Sequence, residues 1–248
     1  MTNKTFTIFP AIDMRQGQVV RLKEGDPKRQ THYGSNPAET ALGWLKAGAQ
    51  WLHVVNLDGA FGESSQANLK ALAGIIQQAN GYSIPVQFGG GLRDLAAIET
   101  ALNSGVSRAV LGTLAIEQPE VFEAALKRWG PEKLAVSLDA RDGLVQSRGW
   151  QQATLLSALD AARRLKSAGL RWLVFTDISR DGLQTGINLE ATRQLAEASG
   201  LDVIASGGVS RAEDVLEAQQ AGLAGIIVGR ALYEGSINLQ AVIDQTKG

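Results

Sequence analysis

The sequence predicts a (β/α)8 TIM barrel with a two-fold half-barrel repeat, formed as one domain over residues 1–248. Three observations lead there. Eight short apolar runs recur along the chain, amphipathic segments with helical spacing lie between them, and strand-end motifs of the first half return in the second.

The runs, in order, are FTIFPAI (6–12), WLHVVNL (51–57), IPVQF (84–88), RAVLG (108–112), LAVSL (134–138), RWLVFT (171–176), DVIAS (202–206) and GIIVG (225–229). They are brief, rich in Val and Ile, and apolar on both alternating faces, as buried parallel strands are. Among the intervening segments, Pro37 opens a helix, Arg93-Asp94 opens one ending near Gly105, and Pro119 opens one ending near Gly130. Residues 154–168, 188–199 and 210–221 follow the same start and stop signals, with Gly169, Gly200 and Gly222 just past their ends. An open doubly wound sheet also alternates in this way, but it places a G-x-G-x-x-G loop after the first strand, and FPAIDMRQG has none. The repeat favours closure: AID (11–13) matches SLD (137–139), FGGGLRD (88–94) matches SGGVSRAED (206–214), and VLGT (110–113) matches IVGR (227–230).

Composition narrows the functional classes. The chain is 44% hydrophobic and 20% charged, so it can bury a large core. A net charge of −1 gives no basic field for nucleic acid or an anionic membrane. The absence of cysteine excludes thiolate chemistry, disulfides and Cys-based zinc sites. The two histidines, His32 and His53, have no ligand spacing, so no metal is expected. MTNKTFTIFPAID has no signal-peptide core and no run reaches membrane-span length, which together read as a cytoplasmic protein.

In such a barrel the active site lies where strands end and the following loops begin. Asp13 and Asp139 end the first and fifth predicted strands, on opposite sides of the mouth. Either alone reads better as a turn or helix cap. As a matched pair they read as a general acid and base, one kept protonated and one ionised by environment. Glycine pairs end four strands: Gly90-Gly91 and Gly112-Thr113 in the first half, Gly207-Gly208 and Gly229-Arg230 in the second. Glycine admits a phosphate close to the backbone, and a helix N-terminus beyond it adds N–H donors. One such pair is as well explained by a tight turn; four at four strand ends point to two facing phosphate cradles and a ligand with a phosphate at each end. The run DISRDG offers Asp181 and Gly182 as additions to the second cradle.

FPAIDMRQGQVVRLKEGD (9–26), WLHVVNLDGA (51–60), VQFGGGLR (86–93), TDISRDG (176–182), and ASGGV with IVGRALYEG further on resemble the phosphoribosylformimino-5-aminoimidazole carboxamide ribotide isomerases of histidine biosynthesis. The resemblance spans nearly the whole chain. It implies an Amadori rearrangement of an N-linked aminoaldose to an aminoketose, on a bisphosphorylated small molecule, by a monomer needing no cofactor. It further implies that Asp13 is the base at C2′, that Asp139 is the acid that opens the ring, and that Thr176 assists Asp139. His53, otherwise a satisfied core histidine, is placed facing substrate. Arg21, otherwise a surface arginine, is placed on a loop that closes over it. Trp150 is placed to stack on the imidazole carboxamide.

Rival readings differ mainly in specificity. The sister cyclase of the same pathway shares the repeat, cradles and aspartates, but begins PCLD and continues VVKG where this chain has PAID and VVRLKEGD. An isomerase that also accepts phosphoribosyl anthranilate keeps both aspartates, and stays open. A non-catalytic sensor of phosphate ligands is disfavoured by the presence of both Asp13 and Asp139.

Overall fold

A computed structural model describes residues 5–23, 26–147, 150, 152–181 and 185–247. The chain opens with β1 (Thr7–Arg15), β2 (Gln18–Lys23), β3 (Asp26–Gly34) and α1 (Pro37–Lys46). It continues through β4 (Leu52–Asn56), α2 (Leu57–Phe61), α3 (Gln66–Gly81), β5 (Val86–Gly89), α4 (Leu95–Asn103), β6 (Arg108–Leu111), α5 (Thr113–Glu117) and α6 (Pro119–Trp129). The second half comprises β7 (Leu134–Arg141), β8 (Leu144–Ser147), β9 (Gln152–Ser157), α7 (Ala158–Ser167), β10 (Trp172–Asp177) and α8 (Leu189–Ser199). It ends with β11 (Asp202–Ser206), α9 (Ala212–Gln220), β12 (Gly225–Val228), α10 (Arg230–Tyr233) and α11 (Leu239–Thr246).

Eight strands, β1, β4, β5, β6, β7, β10, β11 and β12, pair in parallel in that order. β12 returns to β1 with Thr7 opposite Gly225, which closes the barrel. All eight predicted strands are therefore barrel strands. Two cores result from the alternation of side chains. A small inner cluster fills the barrel: Phe9, Ala11, Val110, Ala135, Val174, Ile204 and Ile227, with Trp51 and Trp172 packed against it. The larger cluster lies between barrel and helices, where residues such as Ile12, Phe88, Leu111 and Leu138 are almost wholly buried. Burial on this scale stabilises by about 1.5–3 kcal/mol for each large apolar side chain.

The sequence missed the strands that leave the barrel. After β1, the chain turns through Gln16-Gly17 into β2 and β3, which pair antiparallel above the mouth. Arg21 thus stands on a strand rather than in the predicted loop. β8 and β9 repeat the excursion after β7. They overturn the start of the helix expected over 154–168: residues 154–157 are extended, and α7 begins at Ala158. The Thr154 hydroxyl donates to the Val145 carbonyl (2.8 Å), tying this segment to β8, and the Ser157 side chain then caps α7 by accepting from Asp160 N–H. Tertiary pairing here overrides a helical pattern that is sound only from Ala158 onward. The run 51–57 also stops one residue short, because the Asn56 side chain accepts from Gly59 N–H and starts α2.

The half-barrel repeat extends to backbone angles. Gly90 and Gly207, 117 residues apart in sequence, have φ of 99° and 86°; Gly91 and Gly208 have 83° and 84°. Gly112 (φ −104°, ψ −107°) matches Gly229 (φ −108°, ψ −100°) just as closely.

Candidate active site

A cavity of about 700 Å³ opens at the C-terminal ends of the barrel strands. Every candidate residue lines it except Gly182, which lies outside the described residues. Asp13, Arg21, His53, Gly90, Gly91, Gly112, Thr113, Asp139, Trp150, Thr176, Asp181, Gly207, Gly208, Gly229 and Arg230 all contribute to its wall.

Asp13 projects from β1 and is 8% exposed. Arg21, one residue beyond Val20, the register partner of Asp13 on β2, donates from Nη1 to Asp13 Oδ2 at 2.5 Å and from Nη2 to Asp181 Oδ1 at 3.5 Å. Burial raises the Asp13 pKa, the Arg21 guanidinium pulls it back down, and the Asp181 carboxylate pushes it up again. Arg21 in turn is held well above its ordinary value by the two carboxylates, against its own burial. The hairpin that carries Arg21 is pinned at its far side. Tyr33 of β3 stacks on Tyr233 (ring centroids 4.7 Å apart) and donates to Glu234, while Tyr233 Oη donates to the Ala11 carbonyl at 2.8 Å.

Asp139 on β7 has a different set of partners, all of them neutral among the described residues. Ser137 Oγ donates to Oδ1 at 3.1 Å, Trp150 Nε1 donates to Oδ2 at 2.8 Å, and Thr176, its register neighbour on β10, adds a third hydrogen bond. Burial still dominates and raises its pKa. Trp150 is half-buried in a turn, with its indole turned to the carboxylate. Its φ of 68° is left-handed, a strained setting for a bulky side chain that aims the ring. Two carboxylates equivalent in sequence are thus made unlike: Asp13 by an ion pair, Asp139 by neutral donors.

The glycines divide by what surrounds them. A Cβ on Gly90 would lie 2.1 Å from the Asn56 carbonyl oxygen, and one on Gly208 would lie 2.4 Å from that of Gly186. For these two, close approach of the chain to itself already demands glycine. Gly112 is the opposite case: a Cβ there meets nothing within 4 Å. A Cβ on Gly229 would meet the Arg21 guanidinium at 2.7 Å, so this glycine makes room for the arginine over Asp13. The helix ends divide too. The first turns of α4 and α9 are occupied by their own carboxylates, Asp94 accepting from Ala97 N–H and Asp214 from Ser210 and Arg211 N–H. No side chain caps α5 or α10, which follow Gly112 and Gly229. The helix ends without a side-chain cap are thus those that follow Gly112 and Gly229. Asp181 adjoins Gly207, but its carboxylate faces Arg21 instead of the cradle, and Arg230 pairs through Nε with Glu234 at 2.7 Å.

Several residues around the site escaped the sequence reading. Ser137 carried a signal, standing two residues before Asp139 and so on the same strand face. Gln87 and Arg108 carried one as well, as polar residues inside apolar strand runs. Tyr233 gave none, since its target is a backbone carbonyl 222 residues away. Among the described residues, no group of three or more His, Asp or Glu is arranged to hold a metal ion, and no helix is long and apolar enough to cross a membrane.

Fold and site together define a class: a (β/α)8 barrel of two similar halves, with one buried and one half-buried carboxylate opening on one cavity beside matched glycine loops. The sequence comparisons place it within that class. A family model described as histidine biosynthesis protein matches residues 7–238, and the chain belongs to that family. It is 45% identical over 243 residues to a protein of Trichlorobacter lovleyi, covering 97% of both chains. Similarity is equally broad to a protein of Symbiobacterium thermophilum (46%, covering 94% of this chain and 93% of the relative) and to one of Granulibacter bethesdensis (42%, covering 96% and 97%). All three are named 1-(5-phosphoribosyl)-5-((5-phosphoribosylamino)methylideneamino) imidazole-4-carboxamide isomerase.

Proposed function

We propose that this chain is an aldose–ketose isomerase of histidine biosynthesis, carrying out an Amadori rearrangement on the bisphosphorylated ribotide that its relatives' name describes. The observation that carries the chemistry is the pair Asp13 and Asp139, which line one cavity but are given opposite surroundings. Identity of 42–46% to isomerases across nearly the full chain supports the substrate. The same reading takes residues 1–248 as one catalytic domain, working as a cytoplasmic monomer.

In this reading Asp139, protonated, gives its proton to the furanose ring oxygen. The C1′–O bond breaks and the nitrogen lone pair forms a protonated imine. Asp13, ionised, then removes the C2′ proton, and the C–H electrons flow to the imine nitrogen, leaving an enaminol. Return of a proton to C1′ and loss of the O2′ proton give the ketone, so the overall change is an isomerisation. The imine nitrogen is the electron sink, and no cofactor enters the scheme. Raised pKa values suit the acid directly. For the base, the Arg21 ion pair preserves the ionised form against burial. The two cradles, Gly90, Gly91, Gly112 and Thr113 on one side and Gly207, Gly208, Gly229 and Arg230 on the other, receive the two phosphates. His53 and Trp150 line the same cavity.

Steady-state assays without added metal or cofactor test this directly. Turnover of the ribotide alone is the expected result; turnover of phosphoribosyl anthranilate as well would replace it with a dual-substrate enzyme, and no turnover of either would sink the proposal. The pH profile is a second test. kcat/KM is expected to rise with pH as Asp13 ionises and to fall again as Asp139 loses its proton. Burial raises both groups, so both limbs should lie above the ordinary carboxylate value of 3.8. An alkaline limb at or below that value would remove Asp139 as the acid.

A further inference from the structure

We propose that Gln87 and Arg108 act on the reaction by holding His53 as the ring protonated on Nε2, so that it meets the substrate as a neutral hydrogen-bond donor. The inference rests on the cavity being the active site, and it assigns a positioning role to two residues that lie beneath it.

His53, Gln87 and Arg108 are register neighbours on β4, β5 and β6. Neighbours in a parallel ladder point the same way, and all three side chains are buried, at 8%, 0% and 4% exposure. Because barrel strands tilt, a line of register partners changes height as it passes round the barrel. It links His53 at the mouth to Arg108, whose guanidinium lies between the rings of Trp51 (4.4 Å) and Trp172 (4.0 Å) beside the inner core.

The hydrogen-bond chain has only one consistent polarity. A guanidinium donates and cannot accept. Arg108 Nη1 lies 3.2 Å from Gln87 Oε1, which fixes that atom as the amide oxygen. The amide NH2, a donor only, is then the group 2.8 Å from His53 Nδ1. Nδ1 must accept, so it carries no proton, and a neutral imidazole has its proton on Nε2. Arg108 itself cannot easily reverse the chain, since the two indole faces and the Glu132 carbonyl (3.4 Å from Nε) hold its plane. The ring is also kept neutral: burial first, and the Arg21 charge second, lower its pKa to about 3. A neutral ring that donates from Nε2 can stabilise a substrate oxygen without surrendering its proton, which leaves proton transfer to the two aspartates.

The alternative is that Gln87 and Arg108 only fill the barrel. Long-range proton–nitrogen spectra of the ligand-free wild type separate the two. The chain has two histidines, so His53→Asn assigns the signals. The expected spectrum has bare Nδ1 and protonated Nε2 for His53, unchanged across the range of about pH 5–8 in which an ordinary histidine titrates. A proton on Nδ1, a mixture of tautomers or a doubly protonated ring overturns the proposal without any variant. Gln87→Glu supplies the functional half. Its carboxylate accepts from Nδ1–H, reverses the ring and retains a partner for Arg108. With the fold intact by melting temperature, kcat is expected to fall by about tenfold or more while KM moves less. A reversed ring with kcat within about twofold of wild type would reduce both residues to filling. Failure of the site reading would look different: Asp13→Asn and Asp139→Asn would keep their activity whatever the histidine spectrum.

Discussion

Asp139→Asn is expected to lose at least about a hundredfold in kcat while melting higher than the wild type. The two effects share a cause. Asp139 lies among neutral donors, Ser137, Trp150 and Thr176, and among the described residues no cation pairs with it to offset its charge. Its pKa is raised in the folded state, so its contribution favours folding in acid and is lost as pH rises through that raised value. At neutral pH the folded protein therefore bears a penalty that asparagine removes, of about 1 kcal/mol or about 2–4 °C in Tm for a chain of this size. The advantage should shrink as the pH is lowered through the raised value and vanish below 3.8, where the carboxyl becomes protonated both folded and unfolded. Asp13→Asn should lose as much activity but melt lower. It removes the charge from the 2.5 Å partner of Arg21 and leaves a buried guanidinium paired, among the described residues, with a carboxylate only at the longer distance to Asp181, at a cost of about 1–3 kcal/mol. Equal losses of activity with opposite changes in Tm would distinguish two aspartates that the half-barrel repeat makes equivalent. If Asp139→Asn keeps most of its activity, the acid must be sought elsewhere.

That distinction marks how far the sequence could be read. Positions were legible because strand ends are local: a short apolar run stops, and the next residue stands at the mouth. Asp13, Asp139 and the four glycine pairs all followed from that rule, and the repeat gave each a counterpart. Surroundings were not legible, because they are set by chain far away or turned unexpectedly. β2 and β3 fold back over the mouth, so Arg21 reaches Asp13 from a strand, and Tyr233 near the C-terminus supports the arrangement through the Ala11 carbonyl. β9 took residues from the expected helix because Thr154 and its neighbours bond to β8 rather than to each other. Trp150 turned inward because its backbone adopts a left-handed angle that no sequence signal near an arginine–glycine–tryptophan run specifies. Pattern found the groups, and only long-range contacts decide which is charged.

Alanine at Gly90 and at Gly112 should give opposite kinds of failure, although both glycines belong to the same predicted cradle. At Gly90 a methyl would sit 2.1 Å from the Asn56 carbonyl oxygen, at a φ of 99° that alanine rarely adopts. Neither neighbour can yield, because the Asn56 side chain also caps α2 and accepts from Asn68. The expected loss is about 3 kcal/mol or more, which for this size means a fall of at least about 6–12 °C in Tm. At Gly112 the same methyl meets nothing and projects where the cradle would hold its phosphate. Gly112→Ala should melt within about 2 °C of the wild type and raise KM by about tenfold, with kcat less affected. An unchanged KM would mean that no phosphate approaches Gly112, and that four glycine pairs mark tight chain packing alone. The counterpart in the other half offers a control with a different signature. A methyl on Gly229 would displace the Arg21 guanidinium 2.7 Å away, and with it the ion pair that keeps Asp13 ionised. Gly229→Ala should therefore lower kcat as well as raise KM, and move the acidic limb of the pH profile upward, a shift that Gly112→Ala should not produce.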